Sequence, residues 1–92
     1  MELTFKRRDH YGVTVWESNE TVKPYKTLDT ELPRFRIVKG QTESHGELYI
    51  VRELEPEKSS HYDYSRNTVS EKKLKDTIYW LNLKLHRIHE EF

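Results

Sequence analysis

"EKKLKDTIYWLNLKLHRIHEEF", residues 71–92, closes the chain with apolar side chains at Leu74, Ile78, Leu81, Leu85, Ile88 and Phe92. Steps of 4, 3, 4, 3 and 4 residues return to one face of a 3.6-residue helix. The segment therefore predicts a long amphipathic helix over about 69–91, its apolar stripe turned to a core. Two starts suit it. Thr68 with Glu71 makes a capping-box pattern, and Ser70 as cap would let Val69 pack onto Leu74. Glu71 with Lys75 and Lys72 with Asp76 would add i,i+4 ion pairs worth about 0.2–0.5 kcal/mol each.

A stripe of this kind needs an apolar layer to cover, and the preceding residues read as strands. Residues 3–8 alternate Leu3 and Phe5 against Thr4 and Lys6, and residues 13–17 alternate Val13 and Val15 against Thr14 and Trp16. Asp9-His10-Tyr11-Gly12 between them is a turn signal. Residues 34–38 and 47–54 form a second pair of strands across a polar connection. Residues 18–33 lack a sustained period and read as a loop, while His61–Tyr64 fits either a fifth edge strand or an ordered loop. The expected fold is α+β, one domain over 1–92, with an antiparallel sheet of two hairpins, four- or five-stranded, packed on the helix. Leu3, Phe5, Val13, Val15, Phe35, Ile37, Leu48 and Ile50 are the residues expected to meet the helix stripe.

The helix carries more apolar surface than its stripe. With Leu74 at zero and about 100° per residue, Tyr79 falls near 140°, Leu83 near 180° and Trp80 near 240°. Arg87 follows four residues after Leu83. Trp, Tyr and Arg dominate binding hot spots, because they join a large buried area to a polar or charged handle. Tyr79, Trp80, Leu83 and Arg87 are thus the candidate protein-binding surface, for a partner protein or for a second copy in a homodimer. The competing expectation is that the 18–33 loop or His61–Tyr64 folds over this back face.

The sheet face away from the helix is the alternative site. Lys6, Arg8, Trp16, Arg36 and Tyr49, with Val38 and Val51, are expected there, and aromatics among cations can stack single-stranded bases. Glu17 and Glu53 border the same region, and no RNP-type motif is present.

Composition narrows the classes further. Sixteen basic and sixteen acidic residues cancel, and either side of Gly46 the balance stays near zero, so no global field steers the chain to nucleic acid or anionic membrane. No cysteine is present, which excludes disulfides and thiolate metal sites. No apolar run reaches the length of a membrane span, and the N-terminus has no signal-type apolar region, so a cytoplasmic location is expected. His86, His89 and Glu90 have helical metal-ligand spacing without a fourth ligand or an HExxH order, so no metal is expected. The three glycines never cluster into a phosphate loop, the serines lack a nucleophile elbow, and no cofactor motif appears. The expected role is therefore non-enzymatic: an accessory, regulatory or inhibitor-type interaction module, of a size and composition that also fit a phage or mobile-element product.

Overall fold

The computed structural model describes residues 2–23, 30–55, 62–64 and 69–87. Among these residues seven strands precede one helix. They are β1 (Phe5–His10), β2 (Val13–Ser18), β3 (Thr21–Val22), β4 (Leu32–Pro33), β5 (Phe35–Thr42), β6 (Gly46–Leu54) and β7 (Tyr62–Tyr64), followed by α1 (Leu74–Lys84). Five strands form an antiparallel sheet in the order β1-β2-β5-β6-β7, and β3 pairs with β4 as a separate ribbon. The segment 18–33 therefore holds two short strands among its described residues, and Tyr62–Tyr64 is a fifth strand on the edge of β6.

The β1–β2 turn is tight because His10 pairs with Val13, leaving only Tyr11 and Gly12 at the tip. Both take positive φ, 49° and 79°, as a two-residue type I′ connection requires. Gly12 meets that demand without strain, while Tyr11 meets it with a Cβ and is 94% exposed.

Strand pairing decides which side chains share a face. Trp16 lies opposite Ile37 and Ile37 opposite Val51, so these three form one row across the sheet. Ile37 and Val51, with Leu3, Phe35 and Leu81, make the core under the helix, and Phe5, Trp16, Tyr49, Val69, Leu74, Ile78 and Leu85 pack against it. Leu3, Phe5, Phe35 and Ile37 face the helix as expected. Val13, Val15, Leu48 and Ile50 do not; Trp16, Tyr49 and Val51 stand in their place. The reason is that β6 reads Leu48-Tyr49-Ile50-Val51 and β2 reads Val13-Thr14-Val15-Trp16, each with large apolar residues in both phases, so alternation there cannot choose a face. On the opposite face Ile50 lies over Gly40, where a Cβ would run into Ile50 Cδ1.

The helix is shorter than the apolar period suggests. It begins at Leu74, with Lys73 as a cap that makes no side-chain bond. Thr68 lies outside the described residues, and Glu71 is extended instead, its carbonyl accepting from Tyr49 N–H at 2.8 Å. Since Glu71 and Lys72 precede the helix, the expected i,i+4 pairs with Lys75 and Asp76 lose their helical geometry. Thr77 serves the start from within: its hydroxyl accepts from Glu71 N–H at 3.2 Å and donates to Lys73 O at 3.1 Å.

The far end closes just as definitely. His86 takes φ 55°, its N–H donates to Leu83 O at 3.0 Å, and Arg87 N–H donates to Asn82 O at 2.7 Å. These two bonds are the Schellman pattern, which ends a helix without further turns. Leu74, Ile78, Leu81 and Leu85 face the core as the stripe requires; Ile88 and Phe92 lie outside the described residues.

Candidate protein-binding surface

Helix α1 lies on the sheet with Leu81, Thr77 and Asn82 fully buried, and this fixes what must point outward. Tyr79 and Trp80 are 36% and 45% exposed, and Leu83 is half-buried beside them. The two rings meet edge to face, with centroids 5.2 Å apart at 81°. Such a ring contact favours these two rotamers over others, which lowers the entropy lost on binding. Three of the four residues expected on this surface are thus on the outward side of one element.

The fourth is turned to other work. Past His86 the chain leaves the helical path, so the wheel position read for Arg87 no longer applies. Its guanidinium donates to Glu20 Oε1 at 2.8 Å, and Glu20 Oε2 also accepts from Arg34 at 3.1 Å. Arg34 continues to Glu53 through Nε and a terminal nitrogen, at 3.2 and 3.1 Å. This chain of alternating charges ties the end of α1 to the β3–β4 ribbon and to β6. Glu20, Arg34 and Arg87 are partly exposed, so the two pairs at Glu20 contribute at most about 1 kcal/mol each, while Glu53 is buried and held by two nitrogens of Arg34. Nothing in the apolar pattern signals it, because the residues come from four separate segments.

The alternative set is divided between the two faces of the sheet. Lys6, Arg8 and Arg36 share the face away from the helix, with Glu17 among them, whereas Trp16 and Tyr49 are on the helix side. Glu17 binds Arg36 Nε at 2.9 Å and Arg8 at 3.4 Å, so both cations are already paired. Arg36 also lies 4.1 Å over the Tyr62 ring, whose hydroxyl donates to Pro33 O. Burial raises the Tyr62 phenol above its ordinary pKa of 10.0, against a lowering by Arg36 and with a further rise from Glu17.

Trp16 and Tyr49 meet edge to face at 5.4 Å and border a shallow depression with Arg7, Thr14 and Lys39. Lys39 binds Glu47 at 3.1 Å, which holds its ammonium above its ordinary pKa. Arg7 approaches Asp9 at 3.9 Å.

The chain matches no family model, and no curated protein or solved structure shows significant similarity to it. Among the described residues no group of three or more His, Cys, Asp or Glu could hold a metal ion, while His89 and Glu90 lie outside them. No described helix is long and apolar enough to cross a membrane.

Proposed function

We propose that this chain acts by binding protein, through the outward surface of α1, as a small accessory, regulatory or inhibitor-type module without catalysis of its own. One observation carries the reading. Tyr79 and Trp80 stand outward as a pre-set aromatic pair, with Leu83 extending the apolar surface along the same helix. Trp80 at 45% and Tyr79 at 36% exposure keep aromatic surface on the outside of the helix, and both residue types are favoured at the centre of protein contacts. The double variant Trp80→Ser/Leu83→Ser tests it. We expect a folded protein, by circular dichroism, that has lost association; a folded variant that associates as before would place the contact on another surface.

Single-stranded nucleic acid is the second reading, favoured by the depression where Trp16 and Tyr49 lie with Arg7 and Lys39. It is weakened by the nearby Asp9 and Glu47, which partly neutralise both cations. Tryptophan fluorescence unchanged by oligonucleotides at low salt would remove it.

A further inference from the structure

Asp76, Trp80 and Lys84 lie four residues apart on α1, in one row along its outer side. Trp80 sits at the centre, with the Cα atoms of Asp76 and Lys84 each about 6 Å away along the axis. Lys84 is exposed and Asp76 half-exposed, and neither takes part in the ion pairs among the described residues. Tyr79 and Leu83 lie together on one flank of this row by helical geometry.

We propose that the occupant of this surface is a second copy of the same helix, antiparallel to the first about a two-fold axis at Trp80. The inference rests on the protein-binding reading above and names its partner. A two-fold axis there places Trp80 against the partner's Trp80 and reverses the row. Asp76 then meets the partner's Lys84, and Lys84 meets the partner's Asp76, so the row is complementary to itself. The same operation brings Leu83 beside the partner's Tyr79 on one flank, closing the apolar surface twice over. A parallel pairing would set Asp76 against the partner's Asp76 and Lys84 against the partner's Lys84. Charge therefore selects the antiparallel form. Eleven-residue helices are only about 16 Å long, so the contact is small and the dimer belongs to the weak, concentration-dependent class.

The test exchanges charges and follows mass by sedimentation equilibrium. Asp76→Lys alone turns both ionic contacts repulsive, and so does Lys84→Asp; each should weaken dimerisation by about tenfold or more. Mixing the two variants restores both contacts, because one chain then carries two cations and the other two anions along the row. The expected result is two monomeric variants that associate on mixing. A mixture that stays monomeric while both chains remain folded would overturn the two-fold arrangement. Reversed charges oppose the helix dipole, so Asp76→Asn and Lys84→Gln serve as milder variants, each expected to weaken the dimer. Association lost in Trp80→Ser/Leu83→Ser but indifferent to every charge change would remove this arrangement and leave the protein-binding reading standing. A wild-type chain monomeric at the highest soluble concentration would also overturn it, passing the surface to a different protein.

Discussion

Asn82 and Leu3 are bonded to each other in both directions. Leu3 N–H donates to Asn82 Oδ1 at 2.6 Å, and Asn82 Nδ2 donates to Leu3 O and to Ile78 O, each at 3.0 Å. A carboxamide carries the same donor and acceptor as a peptide group, so this side chain stands where a neighbouring strand would stand. Both residues are buried, with water kept from the bonds. Asn82→Leu keeps the branched shape, though bulkier, and leaves the peptide groups of Leu3 unpaired, and should lower stability by about 2–4 kcal/mol. Urea unfolding measures it; a change below about 0.5 kcal/mol would mean that Leu3 finds other partners.

Leu81 is fully buried at the middle of the helix stripe, against Leu3, Phe35, Ile37 and Val51. Leu81→Ala should cost about 2–5 kcal/mol, a large share of a small domain's stability. Thermal unfolding reads it directly, and an unchanged midpoint would contradict this packing.

His86 is exposed and holds φ 55° at the end of α1, a conformation that disfavours any residue with a Cβ. His86→Gly should therefore stabilise the protein by about 1 kcal/mol, since only the backbone is used in the closing bonds. A loss of stability in urea would show that the imidazole contributes more than the strain costs.

The positive φ at His86 also explains a limit of the sequence. Helices that close in this way most often carry Gly at that position, and without one the apolar period ran on toward residue 91. The inward stripe was legible because Leu74, Ile78, Leu81 and Leu85 repeat at helical spacing, and that repeat also turned Tyr79, Trp80 and Leu83 outward. Sheet faces were legible at β5, where Phe35 and Ile37 alternate with Arg36. They were not legible at β6, where register alone brings Val51 opposite Ile37. Asn82 and Thr77 gave no apolar signal, yet both are fully buried because their polar atoms are paired with backbone. The spacing of Asp76 and Lys84 about Trp80 was in the sequence throughout; it gained meaning once α1 was seen to present that row outward.

Tyr62 makes stability depend on alkaline pH. Burial raises its phenol above the unfolded value of 10.0, so the folded state holds the proton more tightly than the unfolded state does. Its contribution is fully present below pH 10 and is lost as pH rises through the folded pKa. Tyr62→Phe should lower stability at neutral pH, through loss of the bond to Pro33 O, and flatten the decline above pH 10. Denaturant midpoints between neutral pH and pH 11 compare the two proteins; parallel curves would assign the alkaline decline to other groups.

Protein binding through Tyr79, Trp80 and Leu83 is the activity proposed for this chain. Sedimentation equilibrium over a micromolar to near-millimolar range, on wild type and on Trp80→Ser/Leu83→Ser, tests it most directly. The expected result is a wild-type mass that climbs with concentration from the 11.2 kDa monomer toward the dimer, and a folded double variant that stays at its monomer mass. A double variant that remains folded and gains mass just as the wild type does would contradict it.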